Sequence, residues 1–255
     1  MAFCPELNPA SLNRILSTVP ASSLALLRGG LTRVPIVRDQ VLADYQHRDD
    51  QIFFIERGVV SIMSEPMDGE EGIQVAMVGR EGMVGSLSVL EMQHAAPVQV
   101  VTSIPGTALR VSGSVLRQAM NNSPELHLAC VRFTQSMTGQ IMQTATCHAR
   151  RTLAERCARW LLMTLERVDG NEIRVTHEAL GAMLGMRRSG VTVAAASLQE
   201  AGLIHTGRGR FIVVDPVRLR HFAQGAPNDT VPVSERARPH NAVFGIGSGP
   251  TGVAF

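Results

Sequence analysis

The residues best suited to chemistry lie between Arg174 and Asp215. Arg187 and Arg188 stand together at the start of the segment 187–201, whose later apolar residues recur at helical spacing. Two further arginines occupy the stretch Thr206-Gly207-Arg208-Gly209-Arg210. A guanidinium offers paired donors to phosphate oxygens and to O6 and N7 of guanine. This clustering predicts a surface that binds double-stranded DNA.

A helix-turn-helix followed by a hairpin would position these arginines. Thr176 is predicted to cap a short amphipathic helix that Gly185 ends, and the segment 187–201 then forms a second, recognition helix. The apolar runs 203–205 and 211–214 predict a β-hairpin wing with basic residues at its tip. A helix-glycine-helix pattern alone also occurs in subdomains that bind no DNA, so the prediction depends on the arginine pair and the basic wing.

Charge is divided unevenly along the 255 residues, whose net charge is +2. Residues 1–120 carry nine Arg against 12 acidic residues, a balance of −3, whereas residues 145–220 carry 12 Arg against seven, a balance of +5. A positive C-terminal half suits a nucleic-acid partner. No apolar run approaches the roughly 18 residues of a membrane helix, and no basic start precedes an apolar block, so we expect a cytoplasmic protein without a membrane partner.

The pattern predicts an α+β chain in four parts. Residues 1–120 should form an antiparallel β-roll, a double-stranded and cupin-like β-helix with flanking helices, because period-two segments alternate with glycine corners. Residues 121–149 should form one long helix, residues 150–220 the winged helix-turn-helix, and residues 221–255, rich in Gly and Pro, a flexible tail. The predicted strands of the roll are 32–37, 51–56, 59–64, 73–78, 83–87, 98–103 and 107–111.

Apolar residues along the long helix recur in steps of three and four and form a narrow seam. Such a seam suits either a two-helix dimer interface or packing of the helix across its own β-domain. We expect a homodimer, because a helix that joins two domains has little surface within its own chain to cover it. The predicted dimer contacts are Phe133, Met137, Ile141 and Thr144.

The order of parts resembles the Crp/Fnr family of bacterial transcription regulators over roughly residues 24–219. The motifs that carry the resemblance are ERCARWLL (155–162), VTHEALGAMLGMRRSGVT (175–192), AGLIHTGRGRFIVV (201–214), FFIERGVVSI (53–62) and GREGMVGSLSVL (79–90). The resemblance implies a homodimer that regulates transcription by placing the helix near Arg187 in the major groove of a palindromic site. RNA polymerase is a further candidate partner, since activation requires contact with it.

The resemblance also implies roles for individual residues. Arg188 falls where the family commonly has a guanine-reading arginine, and Ser189 and Thr192 share that base-reading face. Ser189 and Val193 stand where many members have glutamate and a second arginine, so the operator sequence is not predicted. The implied phosphate contacts are Thr176, Arg187, Arg208 and Arg210.

The effector site departs from the family pattern. Members that bind a cyclic nucleotide share a Gly-Glu-Leu segment and an Arg-Ser pair, where this chain has Gly85-Ser86-Leu87 and Ala96-Pro97. Ile141 and Met142 stand where hydroxyl side chains would meet the adenine. A buried phosphate without its charged partners costs several kcal/mol, which predicts that the effector is absent or is not a cyclic nucleotide. The alternative is a regulator gated by a cyclic nucleotide or another small molecule in the roll.

Cysteine and histidine patterns predict no metal and no cofactor. The four cysteines show no CxxC pairing, and we expect reduced thiols, three of them on predicted helices. An iron–sulfur centre of the oxygen-sensing kind needs an N-terminal cysteine cluster, where only Cys4 is present, and His47 and His94 have no support as haem ligands beyond being histidines. No GxSxG, HExxH or P-loop motif is present, and Glu70-Glu71 is typical of a solvated turn, so we do not expect an enzyme.

Overall fold

The computed structural model describes residues 11–44, 50–66, 72–85 and 98–225. Within these ranges the α+β class and the predicted order of parts are confirmed: an antiparallel β-roll, one long helix, and a helical domain with a small sheet. The strands of the roll are β1 Thr32–Ile36, β2 Val41–Asp44, β3 Gln51–Ser64, β4 Gln74–Val78, β5 Met83–Gly85 and β6 Val98–Ser112. The helices around it are α1 Arg14–Thr18, α2 Ala21–Leu27, α3 Gly113–Asn121 and α4 Pro124–Arg150. No helix in the described ranges is long and apolar enough to cross a membrane.

Two long bent strands, β3 and β6, form the centre of the roll and pair with each other along most of their length. The predicted division of each strand in two, at Arg57-Gly58 and at Pro105-Gly106, is wrong. The register shifts between Ile55 and Val60, which bends the pair without ending it. At Gly58, φ is +89° and a Cβ would lie 2.5 Å from the carbonyl oxygen of Ile104, so only glycine fits this bend.

Two elements were not predicted. Strand β2 has only four residues and lies at the edge of the sheet against β6. Helix α8, Pro216–Ala223, begins with the side chain of Asp215 as its cap and buries Leu219 in the core of the C-terminal domain. The helix crosses the predicted boundary at residue 220, and residues 226–255 of the predicted tail lie outside the described ranges.

Helix α4 lies across the β-roll of its own chain. Phe133 and Met137 pack into the core clusters of the roll, and the side-chain amide of Gln140 pairs with the backbone of Met77, at 2.6 Å to its nitrogen and 3.1 Å to its oxygen. Thr144 is half-buried, and Ile141 is 40% exposed. The predicted seam therefore serves mainly this intramolecular contact, which is the second of the two interpretations that the sequence left open.

Several polar contacts dock the C-terminal domain on the roll. Trp160 Nε1 donates to Gln74 Oε1 at 2.7 Å, and this contact is buried. Others are ion pairs or hydrogen bonds between Arg167 and Glu81 (2.7 Å), Arg80 and Asp169 (2.8 Å), and Arg38 and the carbonyl of Arg174 (3.1 Å). Val59 and Met77 of the roll belong to the same apolar cluster as the core of the C-terminal domain. The two units thus share a continuous interface within one chain.

Replacing Gly82 with alanine tests the contact between α4 and the roll. A Cβ at Gly82 would lie 2.0 Å from Phe133 Cε2, so the ring must leave its place between two core clusters. We expect the free energy of unfolding, measured by urea denaturation, to fall by about 1–3 kcal/mol. Gly29→Ala is the control, because nothing lies within 4 Å of its added Cβ. Equal stability of the two variants would contradict this packing.

Candidate nucleic-acid interface

The C-terminal domain assembles the predicted arginines on a small scaffold. Its fully buried core includes Leu161, Leu198 and Phe211. A three-stranded sheet of order β7-β9-β8 flanks the helices. Besides α8, the elements are α5 Leu153–Leu165, β7 Glu172–Ile173, α6 His177–Leu184, α7 Arg188–Glu200, β8 Ile204–Gly207 and β9 Arg210–Val213.

Helices α6 and α7 meet at a tight turn. The Thr176 side chain caps α6 by accepting from the backbone nitrogen of Ala179 at 3.1 Å. Gly185 ends α6 in the left-handed conformation, with φ 59° and ψ 45°, as the sequence indicates. A Cβ at Gly181 would lie 2.6 Å from the carbonyl oxygen of Met186, so the chain entering α7 lies directly against α6.

Helix α7 has a buried face and an exposed face. Its buried face consists of Val191, Ala194, Ala195 and Leu198. Arg188, Ser189 and Thr192, the predicted base-reading residues, are all exposed, and Val193 beside them is 71% exposed. Among the described residues, Arg188 has no hydrogen-bond or ion-pair partner for its guanidinium. Arg187 precedes the helix and contributes no side-chain cap, so the first backbone N–H groups of α7 are free to meet an acceptor from outside.

The wing lies next to the start of α6. Strands β8 and β9 pair from Ile204 to Val213, and Arg208 and Gly209 form the turn between them. A Cβ at Gly209 would lie 3.9 Å from Thr176 Cγ2, which brings the predicted phosphate contacts Thr176 and Arg208 to one surface. Arg208 is exposed and has no ion pair in the described part of the chain, whereas Arg210 lies 3.9 Å from Glu172. Arg208 is therefore the more available of the two wing arginines.

His177 belongs to this surface and was not predicted from the sequence. Its Nδ1 shares a hydrogen bond with Thr192 Oγ1 at 3.0 Å, and its ring lies 5.3 Å from that of Phe211, centroid to centroid. Thr192 Oγ1 also donates a hydrogen bond to the carbonyl oxygen of Arg188 at 3.1 Å. The Thr192 hydroxyl is thus already bonded within the protein, unlike Ser189. The sequence signal that could have indicated the role of His177 is its position directly after the Thr176 cap, in the first turn of α6.

The predicted effector residues are only partly within the described ranges. Gly85 ends β5 at φ +135°, and a Cβ there would lie 2.1 Å from the carbonyl oxygen of Gln51, so close backbone contact requires this glycine. Ile141 and Met142, 40% and 66% exposed, lie on α4. Ser86, Leu87, Ala96 and Pro97 lie outside the described ranges, as do Cys4, His47, Glu70, Glu71 and His94.

The described cysteines are buried. Burial raises the pKa of Cys130 and that of Cys157 to about 12, so both remain thiols at neutral pH. No group of three or more His, Cys, Asp or Glu side chains in the described ranges could hold a metal ion.

Comparison with known proteins matches both halves of the chain. The family model of the cyclic nucleotide-binding domain matches residues 33–123, and that of the Crp-like helix-turn-helix domain matches residues 155–222. The chain is 26% identical over 178 residues to the cAMP-activated global transcriptional regulator Vfr of Pseudomonas aeruginosa, covering 66% of this chain and 81% of that one. It is 25% identical over 181 residues to the global nitrogen regulator of Synechocystis sp., covering 67% and 79%.

Solved structures share the fold. A transcriptional regulator of the Crp/Fnr family from Eubacterium rectale has a TM-score of 0.65 at 16% identity, covering 84% of this chain and all of that one. FixK2 from Bradyrhizobium japonicum has a TM-score of 0.64 at 16% identity, covering 75% and 96%. A roll of the cyclic nucleotide-binding type joined to a winged helix-turn-helix defines a DNA-binding transcription regulator rather than an enzyme. The chain belongs to the Crp/Fnr family.

Replacing Arg188 with glutamine tests the geometry around His177. Burial, and then the positive charge of Arg188, lower the pKa of His177. We expect Arg188→Gln to raise the pKa of His177, because a like charge is removed. The pKa would be measured by NMR titration of the ring protons of His177. Arg208→Gln is the control, since Arg208 is not among the groups that shift this pKa. An unchanged pKa in Arg188→Gln would contradict the proximity of the two side chains.

Proposed function

We propose that this regulator acts in the cytoplasm as a homodimer that binds a palindromic DNA site, with one α7 helix in the major groove of each half-site. The observation that carries the proposal is the guanidinium of Arg188, which is exposed at the start of α7 beside the basic wing and which no described residue pairs. In a dimer of this type the two recognition helices lie about 34 Å apart, one turn of DNA. The docking of each DNA-binding domain on its roll would keep that spacing fixed.

Each contact has a distinct role in this proposal. Arg188 would pair with O6 and N7 of a guanine, and Ser189 would offer a short and tolerant hydrogen bond beside it. Val193 would add only an apolar contact, for instance with a thymine methyl. Arg187, Arg208, Thr176 and the free N–H groups at the start of α7 would bind phosphates. Arg210 would first have to exchange Glu172 for a phosphate.

The proposed dimer interface is the face of α4 that the roll leaves uncovered. On the side of α4 opposite the seam, a row of residues spaced three and four apart forms an outer face, and most of its members are exposed. Leu128 is 47% exposed and Met142 is 66% exposed, and no Asp, Glu or Arg occurs between Arg132 and Arg150. A long uncharged and partly apolar helix face suits a second copy of the same helix. The residues of this outer face are Leu128, Val131, Gln135, Thr138, Met142, Ala145 and Ala149.

Regulation by a cyclic nucleotide is the alternative, and the match to the cyclic nucleotide-binding domain favours it. Vfr is named as cAMP-activated, and the roll of this chain matches the family model of the cyclic nucleotide-binding domain. Against it, Ser86, Ala96 and Pro97 provide neither the carboxylate for a ribose hydroxyl nor the guanidinium for a cyclic phosphate. We therefore propose that the effector is absent or is not a cyclic nucleotide. RNA polymerase remains a proposed partner if the protein activates transcription.

Selection of binding sites from a random duplex pool tests the base contacts. We expect the wild type to enrich a palindrome, and Arg188→Ala to lose preference at one base position in each half-site, a loss of about 1–3 kcal/mol. Arg208→Ala is the matched comparison, because loss of a phosphate contact should weaken binding to all sequences alike. It should also reduce the slope of log K against log salt concentration by roughly one per subunit. Failure to enrich any palindrome would contradict the proposal.

Sedimentation velocity tests the dimer interface. We expect Met142→Glu to convert the dimer to monomer with its fold intact, because the variant would place two carboxylates in the centre of the apolar interface. Gln143→Glu adds the same charge one residue further on, away from the outer face, and should remain dimeric. Dissociation of both variants, or of neither, would contradict this interface.

A further inference from the structure

A cavity opens between the roll and the C-terminal domain. Its wall combines strand β4, the end of α4, helix α5 and Leu184 at the end of α6. The cavity is small and partly open to solvent. Met77 and Trp160 are among its apolar lining residues, and Arg156 and Arg159 are its two arginines.

The two arginines lack a negatively charged partner in this cavity. Among its described lining residues there is no aspartate and no glutamate. Arg156 donates through Nη2 to the carbonyl oxygen of Leu184 and to His148 Nδ1, the latter at 3.2 Å, but its Nε is buried and makes no hydrogen bond with any described residue. No hydrogen bond or ion pair is formed by the guanidinium of Arg159 within the described ranges, although Glu166 acts weakly on its pKa.

The titration of neighbouring groups agrees with a positive potential in the cavity. The pKa of His148 is lowered by burial and then by Arg156 and Arg159. The pKa values of Arg156 and Arg159 are themselves lowered, chiefly by burial. The pKa of Cys147 is raised by burial in spite of the nearby arginines, so its thiol does not supply the missing negative charge. Partly buried cations without a counter-charge are unfavourable and attract an anion from solution.

We propose that this cavity is a binding site for a small oxyanion, a phosphate or carboxylate group, held by Arg156 and Arg159. The planar guanidinium matches both groups through paired hydrogen bonds, and Nε of Arg156 is a donor that no described residue satisfies. The apolar wall at Met77 and Trp160 would accommodate a short carbon chain attached to the anionic group. A neutral ligand would leave both charges uncompensated.

The site connects the roll to the helix-turn-helix. Arg156 holds the carbonyl oxygen of Leu184, the last residue of α6 before the Gly185 turn. Trp160 in the same wall bonds to Gln74 of β4. An oxyanion bound here would therefore contact residues of both domains at their junction. The proposed oxyanion site does not require that the proposed DNA contacts or the proposed dimer interface be correct.

The sole tryptophan, Trp160, makes the site observable in the full-length protein. The protein would be titrated with sodium phosphate, sodium succinate and sodium chloride at constant ionic strength, with binding followed by tryptophan fluorescence and by calorimetric heat. We expect saturable binding of phosphate, of succinate or of both, and none with chloride. Phosphate alone would identify a phosphate site, and succinate alone would identify a carboxylate site.

Arg159→Gln should weaken this binding by about tenfold or more, because one of the two guanidinium groups is lost. Arg28→Gln is the control, because Arg28 is exposed at the C-cap of α2 and does not line the cavity. This variant should bind as the wild type does. In wild-type protein, phosphate or succinate should also protect Arg159, but not Arg28, from an arginine-selective dicarbonyl reagent, as mapped by mass spectrometry. Absence of saturable binding by both readouts, equal affinity of Arg159→Gln, or equal protection of both arginines would overturn the proposal.

Discussion

The free edge of strand β4 is the constraint on which the rest of the structure depends. β4 is the last strand of its sheet path and, among the described strands, pairs with β3 alone, so its other side has no strand partner in that part of the chain. The Gln140 side chain of α4 satisfies this edge at Met77, and Trp160 of α5 bonds to Gln74 on the same strand. The long helix and the DNA-binding domain are therefore both attached to this strand. The direction in which α7 points follows from that attachment.

Pairing distinguishes the arginines that hold the fold from those that can meet a ligand. Glu56 binds Arg33 through both carboxylate oxygens, and Glu81 and Asp169 hold Arg167 and Arg80 at the domain junction. Arg188 and Arg208 are exposed on the helix-turn-helix and its wing. Since all the basic residues of this chain except histidine are arginine, residue type alone does not separate the two groups. Contact with a carboxylate does.

Helix α4 has an inner face that the roll covers and an outer face that the roll leaves open. Its inner face is covered by the roll, through Phe133 and Met137, and its outer face carries Leu128 and Met142 in the open. The helix is 27 residues long, and a roll that packs against one side of it leaves the opposite side open. Intramolecular packing and dimerisation, which the sequence presents as alternatives, are compatible when each uses its own face.

The sequence by itself determined the family, the order of the parts and the helix-turn-helix. Local signals were sufficient there, because the Thr176 cap, the left-handed Gly185 and the alternation of buried and exposed residues in α7 are all encoded within a few positions. Only the tertiary structure decided that Gly58 bends a strand instead of ending it, that His177 engages Thr192, and which side of α4 the roll covers. Each of these depends on residues distant in the chain, such as Ile104 beside Gly58, and no local periodicity records such a contact.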